Sequence, residues 1–126
     1  MNANELRIGN YWTNGHKIYK ADANTIYDLE NAPEDVKVNY KGVCLTAAHL
    51  KDFRFTKYRE KKYRKRMTLA CDLQVEFEKS KISLSIIKHE TKRNEAFKFR
   101  YIDFVHELQN VFFWLSKQEL TIKSTK

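Results

Sequence analysis

The chain has 126 residues, 42% hydrophobic and 13% aromatic, with a formal net charge of +8. That is enough apolar material for one folded domain spanning 1–126, which excludes both global disorder and a two-core protein. Three glycines and one proline leave little material for long linkers, and a strongly basic balance favours polyanionic partners.

The opening residues predict short strands. Leu6 and Ile8 alternate in "ELRIGNYW", and "TNGH" holds Asn14-Gly15, a strong hairpin signal because both residues accept positive φ. "HKIYKA" and "TIYDL" are expected as the next strands, "NAPED" as a turn, and Val36, Val38 and Tyr40 as the alternating positions of another strand. The period then changes. Thr46 can cap a short helix over Ala47 to Phe53, with Ala47, Leu50 and Phe53 on its buried side.

Further on, Leu69, Cys71, Leu73, Val75 and Phe77 alternate with Asp72, Gln74, Glu76 and Glu78, the pattern of a half-buried strand. Ile82, Leu84 and Ile86 answer it across "EKSK", and Phe97, Phe99 and Tyr101 mark one more strand. Asp103 is expected to cap a helix, "FVHELQNVFFWLS", on which Phe104, Val105, Leu108, Val111, Phe112 and Leu115 form a stripe about 120° wide. Phe113 lies nearly opposite, beside His106 and Asn110, with Trp114 on the flank; these two aromatics are a candidate protein interface. "ELTIK" is expected to close as a strand. The expected architecture is α+β: a small curved antiparallel sheet with a short helix and a C-terminal amphipathic helix packed on it.

Recognisable catalytic apparatus is missing. Neither "GxxxxGK[ST]" nor "GxGxxG" occurs, and the four histidines are dispersed. Cys44 and His49 form the nearest soft-ligand pair, without a second pair at zinc spacing. Glu76 and Glu78 share a strand face, which points to a solvated edge before it points to acid–base chemistry. No catalytic residue, metal, cofactor or small-molecule substrate is expected. Cys44 and Cys71 are isolated, and no run approaches the ~18 apolar residues of a membrane span. Free thiols in a reducing cytosol, and no membrane partner, follow as expectations.

One segment stands apart. "KYREKKYRKR", Lys57 to Arg66, holds seven cations and one acid, so it carries +6 of the total and leaves +2 for the rest of the chain. It sits between the first helix and the central hairpin. Lys57, Arg59, Lys61, Lys62, Arg64, Lys65 and Arg66 are the candidate phosphate or acidic-partner contacts, and Tyr58 and Tyr63 the candidate base-stacking residues. As a helix it would bring Lys57, Lys61, Arg64 and Lys65 to one face; periodicity does not separate that helix from an extended arm.

Four segments also carry a resemblance. "ELRIGNYW" with "HKIYK" looks like the N-terminal strand and hairpin of a family of small proteins from phages and mobile elements of the Bacteroidota. "LTAAHLKDFRF" resembles that family's Leu-Thr-x-x-x-Leu-x-x-Phe-x-Phe helix, and "YIDFVHELQNVFFWLSKQEL" its Val-His-x-Leu-Gln-Asn signature. Together they cover about a third of the chain. The chain departs from the pattern at Ser116-Lys117, where the family has a helix-ending Gly, and in the basic run, which is richer than the family's insertion. The resemblance implies a phage or mobile-element setting. In that setting the expected activity is an anti-CRISPR inhibitor, binding a type VI-B RNA-guided RNase or its guide RNA in the host bacterial cytosol. A nucleic-acid-binding accessory protein, or an interaction module using the outer face of the last helix, are the alternatives.

Overall fold

The computed structural model describes residues 1–89 and 94–122. The fold is α+β, with two antiparallel sheets in place of the single sheet expected, and the chain divides into two compact units. Among the described residues, no helix is long and apolar enough to cross a membrane.

The first unit comprises Met1–Leu45 and Phe104–Asn110. Its strands are β1 (Tyr11–Thr13), β2 (Ile18–Lys20) and β3 (Lys41–Gly42), in the order β2-β1-β3. The Asn14-Gly15 hairpin forms as expected. Asn14 Oδ1 accepts from the His16 and Lys17 N–H groups at 2.8 and 3.0 Å, and Gly15 takes φ +100°. Two expected strands are helices instead. "TIYDL" belongs to α1 (Ala23–Asn31), because Asp22 caps it by accepting from the Thr25 N–H at 2.8 Å. Val36 lies in the short helix α2 (Glu34–Lys37), which starts after Pro33 with Glu34 and Asp35 in its first turn. Val36 and Val38 are accordingly exposed, and so is Ile8, which lies outside any strand. Leu6, Ala21 and Leu29 form the small core, with Trp12 and Tyr40 packed against it.

The "LRIGN" and "HELQN" segments meet in this unit. Gln109 Oε1 accepts from the Tyr11 N–H at 2.9 Å and its Nε2 donates to the Gly9 carbonyl at 3.0 Å. Asn110 Nδ2 donates to the Glu5 carbonyl at 3.1 Å, while its Oδ1 accepts from Arg7 Nη1 at 3.0 Å. His106, Gln109 and Asn110 are therefore buried, not on an outer face. The Gln109 and Asn110 amides satisfy the Glu5 and Gly9 carbonyls and the Tyr11 N–H.

The second unit comprises Thr46–Asp103 and the residues from Val111 onward. Helix α3 (Ala47–Asp52) begins at Thr46, whose N–H donates to His49 Nδ1 at 3.1 Å, so His49 acts as a cap. A five-stranded meander follows: β4 (Thr56–Arg59), β5 (Lys62–Arg66), β6 (Cys71–Phe77), β7 (Ile82–His89) and β8 (Asn94–Ile102), each paired to the next. The central hairpin forms as expected across "EKSK"; its register runs from Cys71↔Lys88 to Phe77↔Ile82, closed by the Glu78 N–H to Lys81 carbonyl bond. Leu50, Phe53, Phe55, Leu73, Val75, Leu84 and, from helix α4 (Val105–Ser116), Val111 and Phe112 are buried in this unit.

Several core expectations fail at the margins. Leu69 is fully exposed because it sits in the β5–β6 turn, and Cys71 is half-buried. Ile87 is buried while Ile82 is only partly covered, as is Ile86. Phe97, Phe99 and Tyr101 are exposed because β8 is the last strand of the sheet. A bulge opposite Leu84/Ser85, and lysine ammoniums over the Phe97 and Tyr101 rings, are the devices that blunt such an edge. Leu115 is exposed, and residues 119–122 form no strand; Lys123, the last residue of "ELTIK", lies outside the described residues.

Candidate nucleic-acid interface

The basic run forms a β-hairpin, not a helix. Strands β4 and β5 turn through Glu60 and Lys61, with Lys61 at φ 64°. The reason lies in the neighbouring strand: Lys62, Arg64 and Arg66 stand opposite Glu76, Gln74 and Asp72 of β6. The polar face of β6 thus offers an acid, an amide and an acid to three successive cations, which stabilises extended pairing over a helix.

This register separates the cations by how far they are compensated. Arg66 Nε donates to Asp72 Oδ1 at 2.6 Å and its Nη1 to the Leu69 carbonyl at 3.0 Å. His89 Nε2 lies 2.9 Å from the other Asp72 oxygen, so Asp72 links β5, β6 and β7. Lys57 meets Glu60 at 3.5 Å on the exposed turn. For Arg59, Lys61, Lys62, Arg64 and Lys65, no carboxylate lies within salt-bridge distance among the described residues.

Arg64 is held from two sides. Its Nε donates to Gln74 Oε1 at 2.8 Å, and its guanidinium carbon sits 3.6 Å from the Tyr58 ring centroid. Tyr58 occupies the bulge between Lys57 and Arg59 and is 46% exposed. Tyr63, by contrast, points inward: it is 8% exposed and packs edge-on against Phe77 at 6.0 Å. Its ring is core, and the stacking role assigned to both tyrosines rests on Tyr58 alone.

Strand β4 begins at Thr56, opposite Arg64, so Lys65 and Arg66 run on past its start. The resulting notch is an open groove of about 560 Å³, with Arg54, Lys57, Arg64, Lys65 and Arg66 in its lining against one carboxylate, Asp72. Lys65 is half-buried there, 6.0 Å from the Phe112 ring centroid. Desolvation, then the nearby charge of Arg54, hold its pKa below the ordinary lysine value. Arg54 lies outside the basic run and carries no sequence signal of its own. It reaches the groove because the chain leaves α3 through a left-handed residue, φ 67°, with the Phe55 N–H bonding the Leu50 carbonyl.

Arg59, Lys61 and Lys62 lie at the hairpin tip, outside the groove lining. On α4, Trp114 is 55% exposed and Phe113 half-buried. The helix ends without glycine: Lys117 takes φ 62° and its N–H donates to the Phe113 carbonyl at 2.7 Å. Comparison of the chain with protein-family models, with curated proteins and with solved structures returns no match.

Proposed function

We propose that this chain is a non-catalytic RNA-binding protein that grips a single strand through the β4–β5 hairpin and the notch beside it. The observation that carries this reading is the convergence of five cations and one carboxylate on one open groove, with the exposed Tyr58 ring at its rim. Lysine and arginine neutralise phosphates, and an exposed tyrosine offers a face to an unpaired base. In the phage or mobile-element setting that the resemblance implies, the finer form of the proposal is an anti-CRISPR inhibitor. The hairpin would occupy the guide-RNA channel of a type VI-B RNA-guided RNase, or hold the RNA itself, in the host cytosol.

Binding of a labelled single-stranded RNA, followed by anisotropy across a salt series, tests the general form. The log–log slope should flatten by about 0.7 for each phosphate that the protein no longer neutralises. Replacing Arg54, Arg64 and Lys65 with Ala should flatten it by about 2; an unchanged slope removes the groove from the interface. The finer form predicts that near-stoichiometric protein blocks RNA cleavage by the purified effector. Relief of that block by excess unrelated RNA would identify simple coating of the substrate instead. A complex with the effector that survives RNase treatment and removal of the groove cations would move the interface to Phe113 and Trp114.

A further inference from the structure

Of the two groove arginines that the protein orients, Arg66 uses its fork on Asp72 and Leu69, whereas Arg64 is held with its Nη groups left for a ligand. Tyr58 supports its plane and Gln74 holds Nε, while neither Nη makes a hydrogen bond or ion pair to the protein among the described residues. A guanidinium fixed in this way presents a two-pronged N–H fork of the geometry that phosphate oxygens accept. We propose that the notch is a seat for one phosphate group, with Arg64 as the oriented fork and Lys65 and Arg54 as flanking charges. The proposal rests on the RNA-binding reading and deepens it from diffuse attraction to a defined seat.

Three features of the site support a seat over a diffuse track. Arg66, next along the strand, is already bonded to Asp72 and Leu69, so its fork is spent and the choice falls on Arg64. The one groove carboxylate, Asp72, is engaged by Arg66 and so does not neutralise the Arg54–Lys65 pair. Arg54 and the half-buried Lys65 ammonium repel each other, a cost that an arriving dianion or diester oxygen relieves. Gln74, 5% exposed, is the positioning residue: it carries no charge and acts only by aiming Arg64.

The phosphate could come from the interior of a strand or from its end. Binding of an oligouridylate of about eight nucleotides, in 5′-phosphorylated and 5′-hydroxyl forms, separates the two. Arg64→Lys keeps the charge and removes the fork. It should weaken binding about tenfold at fixed salt with the salt slope unchanged. Equal weakening on both oligomers assigns the seat to an internal phosphodiester; weakening confined to the phosphorylated one assigns it to a terminal phosphate. Gln74→Met, with folding checked by its thermal midpoint, should give a smaller effect of the same kind. The proposal is overturned if Arg64→Lys binds both oligomers as the unaltered protein does. An effect seen only when guanine is present also overturns it, because Arg64 would then read a base edge. Inorganic phosphate, titrated with the Arg64 Nε–H signal as the NMR readout, tests the seat without RNA. A shift there without RNA binding would sink the RNA-binding proposal and leave the seat standing.

Discussion

Gly42 shows how one small residue fixes a local fit. A Cβ at this position would collide with the Phe104 ring, so the strand and the ring share space that only glycine leaves open. Gly42→Ala should cost about 1–3 kcal/mol, read as a lower urea midpoint at unchanged m-value. His106 is the other residue with a measurable signature. It is 4% exposed, its Nδ1 has no partner among the described residues, and the Phe104 ring stacks on it at 5.6 Å. Burial lowers its pKa from the ordinary 6.5, with Glu107 and Glu5 opposing the shift and the N-terminal ammonium adding to it. The unfolded chain therefore binds the proton more readily than the folded one. Stability should be full above about pH 6.5 and decline as pH falls through that value. Unfolding midpoints between pH 7.5 and 5 would show this decline, and His106→Gln should flatten it. Two further residues could have been read from sequence: Asp22-x-x-Thr25 is a capping pattern, and it outweighs the β-branched run that suggested a strand.

Among the elements, β5 is the informative one, because its pattern makes sense only beside β6. Alternate cations of β5 face alternate polar residues of β6, two of them acids, so part of the basic run stabilises the sheet and part has no carboxylate within salt-bridge distance among the described residues. Asp72 marks the division. Asp72→Asn should destabilise the β5–β6 pairing by about 1 kcal/mol, because the Arg66 head is largely exposed and such pairs are weak. It should also release Arg66 to the groove and steepen the RNA salt slope by up to about 0.7. Urea titration and the salt series on the same variant check both effects. The pairing was legible in principle, since both strings of residues stand in the sequence, but reading it required knowing that β5 is extended. The last helix was legible as an amphipathic stripe. That its polar side is buried was not, because the covering segment is about a hundred residues away in the chain.

For the whole molecule, the charge distribution outweighs the total. Of the formal +8, the basic run holds +6, and the fold divides its uncompensated part between the hairpin tip, with Arg59, Lys61 and Lys62, and the notch, where Arg64 and Lys65 are joined by Arg54. At physiological salt the screening length is about 8 Å, so charges elsewhere would contribute little to the proposed encounter with RNA. Replacing Arg54, Arg59, Arg64 and Lys65 with Ala lowers the formal charge to +4 and should cut the association rate at least tenfold at low salt. Replacing four lysines remote from the hairpin should change it far less. Stopped-flow association at two ionic strengths distinguishes these outcomes.

The sequence by itself determined the α+β class, the hairpin at Asn14-Gly15, the pairing of β6 with β7 and the concentration of charge in one run. Each of these depends on neighbours a few residues apart, or on a period that a strand or helix repeats. Tertiary structure alone decided which cations stay uncompensated, that Tyr63 is core while Tyr58 is exposed, and that Arg54 joins the groove. Those outcomes depend on which strand lies alongside and where it stops, and pairing between distant segments leaves no periodic trace in a single chain.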